Sequence, residues 1–267
     1  MIEIIKVENK DQEREFVMFP FSLYKGCDYW VPPIISEELE SMDKEKNPVF
    51  ENAEAEFYIA KKDGVTVGRI AAMVNWVEIE EQKKNKLRFG WYDTIDDLEV
   101  SKKLLESVIE FGKKRKLEFV DGPVGFSNMD KAGLLIEGYE ELNTMITWYH
   151  YPYQKEHLKK LGFSKLAEWV EYKIKIFSAE DAPEKVKKFS KIIQQRYELK
   201  VLNFKSRKEI IPYVDKMFEL LNVTYSNLQT YVTIKQYQID FYKEKFIKYI
   251  HPDFIKCCLD KDDNLIA

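Results

Sequence analysis

The sequence predicts a mixed α+β fold, a mainly antiparallel sheet flanked by helices, on three observations. Phe57 to Asn75 forms two β-rich arms around Asp63-Gly64, a pair suited to the positive φ angles of a tight hairpin turn. Leu87 to Pro123 passes from an apolar strand through a tight turn and an amphipathic helix to a second short strand. From Ser178 strands and helices start again, in an order that repeats the opening of the chain. With 267 residues, 45% of them hydrophobic and 33% charged, the chain has apolar content for a real core and length for more than one domain.

In chain order, Met1 to Val7 alternates around Ile2, Ile4 and Ile5 and predicts an opening strand. Asp11 to Tyr24 predicts a helix with Phe16, Phe19 and Leu23 on one side, kinked or restarted at Pro20 because proline lacks a backbone N–H. Tyr29 to Pro33 must be extended, since each proline restricts the residue before it. A short helix from Ile34 to Met42 follows. The second hairpin arm, with Val67, Ile70, Ala71, Met73 and Val74, is apolar on both faces and suits a central strand. Leu87 to Tyr92 continues the sheet. The helix from Leu98 to Arg115 carries Val100, Leu104, Val108 and Phe111 on one stripe and gathers lysines at its far end, where the helix dipole favours them. Glu118 to Asp121 is a strand, Gly122 to Asn143 a long irregular loop, and Pro152 to Leu161 a helix ended by Gly162. Phe163 to Phe177 predicts two final strands.

In the second part, Asp181 is the expected N-cap of a helix running to Arg196, and Lys200 to Asn203 is a strand. Ser206 and Thr233 each head a capping-box pattern, and Phe254 to Ala267 resembles the first hairpin. These readings divide the chain into residues 1–177 and 178–267, the latter a weak internal duplication. A copy that stops within its second hairpin strand leaves an open sheet edge, so truncation at Ala267 is an expectation too.

The formal charge of −4 gives no electrostatic reason to expect nucleic acid. Cys27, Cys257 and Cys258 have no CxxC or Cys/His spacing, so neither disulfides nor a structural metal is expected, and a reducing cytoplasm fits. The opening residues lack a signal-peptide pattern, and no run approaches the ~18 apolar residues of a membrane helix. His150, His157 and His251 form no metal-ligand motif, and neither a nucleophile elbow nor a P-loop is present. The 16 Tyr and 17 Phe either fill a core or line a pocket.

The loop after Asp121 carries the most suggestive polar set: Phe126, Ser127, Asn128, Asp130 and Glu137. It follows a strand, and ligands bind near strand carboxyl ends in open α/β sheets. Tyr149 and Tyr151 could add aromatic walls, so an amine or peptide is the expected small partner, its cation met by Asp130 or Glu137. The same residues also suit an ordered loop whose Asn and Asp make turns.

The order of all these elements, with the hairpin Ala60 to Ile70 and the junction Leu158-Lys159-Lys160-Leu161-Gly162-Phe163, resembles the GNAT superfamily of acyl-CoA N-acyltransferases, in particular bacterial tandem-domain members. The resemblance covers residues 1–177 and implies transfer of an acyl group from acetyl-CoA or another acyl-CoA to an amine. It implies a Q/R-x-x-G-x-G/A turn that cradles pyrophosphate at a helix N-terminus. Here Thr94-Ile95-Asp96-Asp97-Leu98-Glu99 stands in that place, without glycine or base, and the acidic turn takes in Asp93 as well. Carboxylates there would cap the helix themselves and repel a pyrophosphate. The resemblance also implies a tyrosine as general acid where this chain has Leu158; Tyr153 is the nearby candidate to replace it. The alternative expectation is a non-catalytic GNAT-like binding module.

Overall fold

The structure, a computed structural model, describes residues 1–175, 178, 180–247 and 249–267. It divides into two units, Met1–Val170 and Glu171–Ala267. In the first, five strands lie in sequence order: β1 (Ile2–Lys6), β2 (Ala53–Lys62), β3 (Val65–Asn75), β4 (Lys86–Thr94) and β5 (Phe119–Asp121). The first three pairings are antiparallel and β4 pairs parallel with β5. The β4-to-β5 connection is α4 (Leu98–Lys114), the crossover a parallel pair requires. The hairpin turn has Asp63 at φ 53° and Gly64 at φ 82°, as its sequence requires.

The sheet has two covered faces. On one, Ile70, Ala72, Val74, Phe89 and Tyr92 pack against the α4 stripe of Val100, Leu104, Val108 and Phe111. The other lies under α1 (Lys10–Leu23) and α2 (Ile35–Met42), where Phe16, Val17 and Met42 meet Phe57, Ile59, Ala71, Met73 and Trp91. Strand β3, between β2 and β4, is buried on both faces as its composition predicts. A short helix, α3 (Trp76–Glu80), connects to β4, and α5 (Pro152–Lys160) follows the long loop.

Three expectations fail here. Helix α1 passes through Pro20 as one helix. The N–H that proline lacks would have bonded the Phe16 carbonyl, and the Arg69 guanidinium supplies that bond instead, at 3.1 Å. The two strands expected over Phe163 to Phe177 do not form in residues 163–175, and residues 176–177 lie outside those described. Among the described residues no strand pairs with the outer edge of three-residue β5, so the β pattern of residues 163–170 finds no ladder. Finally, Asp93 belongs not to the turn but to the end of β4.

In the second unit, β6 (Lys200–Asn203) pairs antiparallel with β7 (Lys256–Leu259), which turns at Asp260–Asn264 and returns toward Ala267. Its helices are α6 (Glu184–Arg196), α7 (Arg207–Ile210), α8 (Val214–Tyr225) and α9 (Gln236–Phe246). Pro183, not Asp181, precedes α6, because Asp181 is spent on a turn with Ser178. Lys235, not Thr233, is the N-cap of α9, and its N–H donates to Gln238 Oε1 at 3.0 Å. A small core of Phe204, Ile210, Val214 and Cys257 holds the unit. An apolar groove of about 550 Å³ runs between Val186, Phe189 and Ile193 of α6 and Val201 and Cys258 of the strands.

Candidate functional site

A bulge in β4 builds the polar centre of the first unit. Arg69 of β3 faces Asp93, yet Ala71 faces Gly90, so β4 holds one extra residue between the two pairs. Trp91 takes φ 46° there. Its side chain thereby swings to the α1–α2 face, beside the position of Gly90, and Asp93 comes to the same face. The Trp91 indole N–H donates to Glu38 of α2 at 2.7 Å.

Asp93 accepts from Arg69 Nε at 2.8 Å and from the Tyr24 hydroxyl at 2.6 Å, with all three side chains buried. Burial first, and the Asp93 carboxylate second, push the Tyr24 phenol well above its ordinary pKa, so it is a proton donor here. Gln154 at the start of α5 lies 3.4 Å from the Tyr24 oxygen and donates to the Tyr92 carbonyl. Around Tyr24 stand Trp30, Tyr149 and Tyr151, at ring separations of 5.1–5.5 Å. Lys131, from the long loop, is part-buried within electrostatic reach of Glu38, Arg69 and Asp93.

His150 is 1% exposed, and Nδ1 accepts from the Leu135 N–H. Burial lowers its pKa from 6.5 to about 4. The unfolded chain therefore binds a proton at this residue between pH ~6.5 and ~4 that the folded chain does not. Stability should fall as pH drops through that window, by on the order of 3 kcal/mol in all. Urea titrations at pH 7 and 4.5 should show a smaller acid loss in His150→Gln than in the parent.

The residues expected to form the site are dispersed by role. Phe126 is 1% exposed and packs against Phe50 and Trp91 in the core. Asp130 closes its own loop: it accepts from the Ser127 N–H at 2.9 Å, and Ser127 Oγ accepts from Met129 N–H. Gly125 allows this closure, because a Cβ there would lie 2.2 Å from the Asp130 Cβ. Burial raises the Asp130 carboxyl, with the Ser127 amide opposing. Asn128 lies part-buried on the same loop, and Glu137 is exposed. Tyr149 donates to the Tyr139 carbonyl, while Tyr151 lies edge-on to Tyr149 and tilted against Tyr153. The Tyr153 hydroxyl donates to the Thr94 carbonyl at 2.7 Å, which places it at the entrance to α4. The structure thus joins Tyr149 and Tyr151 to the Tyr24 cluster and leaves Asp130 and Glu137 out of it. Tyr24, Arg69, Lys131, His150 and Gln154 were not anticipated. Two signals existed: an arginine inside an otherwise apolar strand, and a proline inside a helix.

The N-terminus of α4, where a CoA pyrophosphate would sit, is filled by its own residues. Asp97 accepts from the Glu99 N–H at 3.0 Å and pairs with Lys62 at 2.9 Å. Asp96 lies 3.2 Å from His157 Nε2, whose other nitrogen is 2.8 Å from Ser101 Oγ. Ser101 in turn takes the Tyr92 hydroxyl. The Asp97 bond to Lys62 comes first among the causes that hold its carboxyl low, so it stays anionic. Donors already used and carboxylates already present do not fit a pyrophosphate. The double variant D96G/D97G should lose only a few tenths of a kcal/mol with the cap itself, since glycine is tolerated at an N-cap, together with the Lys62 and His157 contacts. Its calorimetric titration with acetyl-CoA should show no gain of submicromolar affinity over the parent.

No protein-family model matches the chain. The chain is 26% identical over 249 residues to Protein YghO of Escherichia coli, covering 92% of this chain and 61% of that protein. It is 23% identical over 174 residues to a protein of Caulobacter vibrioides named bacterial ceramide synthase, covering 64% of this chain and 45% of that one. It therefore spans about half to three-fifths of the length of the curated relatives it matches. A GNAT-family acetyltransferase of Staphylococcus aureus is a structural neighbour at 17% identity and TM-score 0.34, over 46% of this chain and 73% of its own. With four strands in antiparallel order, a fifth parallel to the fourth across a helix, and helices on both faces, Met1–Val170 has the mixed, mainly antiparallel sheet flanked by helices that the sequence predicts.

Proposed function

We propose that the first unit is an N-acyltransferase of GNAT type, transferring an acyl group from an acyl thioester to an amine. The observation that carries this reading is the buried cluster at the carboxyl end of β4, in which Asp93 accepts from both Arg69 and Tyr24 beside Lys131. Buried acids, bases and cations drawn together at a strand end are what proton transfer to and from nitrogen needs. In this reading Asp93 holds the acceptor amine and takes its proton, Arg69 keeps the carboxylate aimed, and Tyr24 supplies a protonated phenol. Tyr149, Tyr151 and Trp30 form the apolar wall for the acceptor, a small-molecule amine or peptide. Acyl-CoA is the donor class the fold suggests, entering without the pyrophosphate cradle at α4.

The name of the Caulobacter relative supports transfer to nitrogen, since a ceramide is an N-acylated amine. The second unit is read as the start of another GNAT-like domain: β6 pairs with β7 as β1 pairs with β2, with helices between. The free thiols of Cys27, Cys257 and Cys258 suit a cytoplasmic setting. Among the described residues no helix is long and apolar enough to cross a membrane. A second reading, a GNAT-like module that binds without catalysis, is favoured by the self-capped α4.

Calorimetric titration of the chain with acetyl-CoA and CoA, followed by amide formation on a panel of amines, decides between them. Amide formation that Asp93→Asn lowers by about 10²–10⁴-fold supports the transferase. Amine binding with no amide from any thioester sinks it. Submicromolar CoA affinity would overturn the account of the α4 turn.

A further inference from the structure

Two amphipathic helices of the chain have opposite fates. In α4 the apolar stripe of Val100, Leu104, Val108 and Phe111 is buried against the sheet. In α6 a stripe of Val186, Phe189 and Ile193 recurs at the same helical period, with Ile192 at its edge, yet no residue of the helix is buried. These four side chains are 43–57% exposed. The groove of about 550 Å³ runs between the stripe and Val201 and Cys258, so α6 does not rest on β6 and β7. The close packing of that sheet lies on its other face, where Leu202 and Cys257 meet Phe204, Ile210 and Val214. The rest of α6 is basic. Lys185, Lys187, Lys188, Lys191 and Arg196 stand against one acid, Glu184, in a chain whose formal charge is −4. Among the described residues only Lys187 of these five has a carboxylate partner, Glu184 at 3.0 Å. Lys185, Lys188 and Arg196 flank the stripe beside Ile192, with Lys185 Nζ 5.9 Å from the centroid of the Phe189 ring. A bare apolar stripe flanked by exposed cations suits the plane of a membrane interface. The rings and methyls enter the headgroup boundary, the lysine stems follow them, and the ammonium groups meet lipid phosphates.

We propose that α6 is a docking surface for an anionic lipid bilayer, on which the helix lies flat with its apolar stripe in the headgroup boundary. Because the groove leaves the stripe open, α6 reaches that boundary without unfolding. A helix of 13 residues rests on such a surface and does not span it. Charge complementarity selects the occupant. A second copy of this face would set five cations against five, whereas anionic headgroups neutralise them. The docking surface belongs to the second unit and stands independently of the transferase reading of the first.

Sedimentation of the full chain with sucrose-loaded vesicles tests it. Vesicles of phosphatidylglycerol and phosphatidylcholine in equal parts should bind at least about ten times more tightly than pure phosphatidylcholine, since each cation near an anionic surface contributes about fivefold. Raising sodium chloride from about 0.1 M to about 1 M, where the Debye length shrinks from about 10 Å to about 3 Å, should release most of the bound chain. The double variant K185Q/K188Q should weaken binding by about 25-fold. F189S/I193S should weaken it by at least about tenfold, through lost apolar contact. All four positions are exposed, so both variants should keep the circular dichroism and urea midpoint of the parent. K44Q/K114Q, which removes two exposed cations of the first unit, should bind as the parent does. No binding, equal binding to both kinds of vesicle, or binding that neither α6 variant weakens overturns the inference. A dimer in analytical ultracentrifugation that F189S/I193S dissociates also overturns it, because a second copy is then the occupant. So does a markedly lower urea midpoint in F189S/I193S, which would make the stripe a core face.

Discussion

Glu78→Ala should destabilise the first unit by about 3–5 kcal/mol, the range for removing one partner of a buried ion cluster. Glu78 is fully buried in α3, early in the β3–β4 connection. It accepts from Arg88 Nε at 2.9 Å and Nη2 at 3.0 Å, and it pairs with Lys86 at 3.0 Å. Arg88 also donates to the Gly125 carbonyl, so the cluster fixes both β4 and the start of the long loop. Without Glu78, Lys86 keeps its bond to Asp121 and Arg88 its bond to the Gly125 carbonyl, but both buried cations lose the carboxylate they share. The effect has a pH signature. Burial raises the Glu78 carboxyl, but Arg88 and Lys86 together outweigh it and hold the pKa below its ordinary value. Its contribution is therefore complete above the unfolded carboxylate range, near pH ~4.3, and is lost as pH falls through the lower folded value. Urea denaturation from pH 7 to pH 3 should show a lower midpoint for Glu78→Ala at neutral pH and convergence with the parent in acid. A parallel offset across the whole range would contradict this account.

Arg69→Met should cost a similar amount, about 3–5 kcal/mol, because it strips two buried acceptors at once. Asp93 loses its ion pair, and the Phe16 carbonyl freed by Pro20 loses the bond that replaces the helical one. The double variant R69M/D93N should be less destabilised than the two single variants summed, with a coupling of about 0.5–3 kcal/mol. Additivity within error would show that the pair is not an energetic unit. Circular dichroism of α1 is a useful second readout, since the Arg69 bond stands where a helical hydrogen bond is missing.

Much of the architecture was legible because its signals are local. Asp63-Gly64 specifies a turn through two φ angles, and Asp97 specifies a helix start through one side-chain bond. The α4 stripe faces the sheet because its apolar residues recur at the helical period. Where local signals competed, the sequence misled. Thr233 and Lys235 both stand before a helix, and the backbone chose the later N-cap. Pro20 argued for a break that a distant arginine made unnecessary. Asp130 looked available to a ligand, but a three-residue turn had already used it.

The candidate site was far less legible. Tyr24, Arg69, Asp93, Lys131, His150 and Gln154 come from five segments, and Tyr24 is 130 residues from Gln154. No window of sequence contains their relation, since each looks like an ordinary strand, helix or loop residue in its own neighbourhood. The sequence by itself determined the element order, the hairpin, the central β3 strand and the acid-capped start of α4. Each of these follows from bonds and periodicities spanning a few residues. The tertiary structure alone decided which face carries the polar cluster. One extra residue at Trp91 inverts the alternation of β4, and a register choice of that kind is made by the neighbouring strand and the covering helices together.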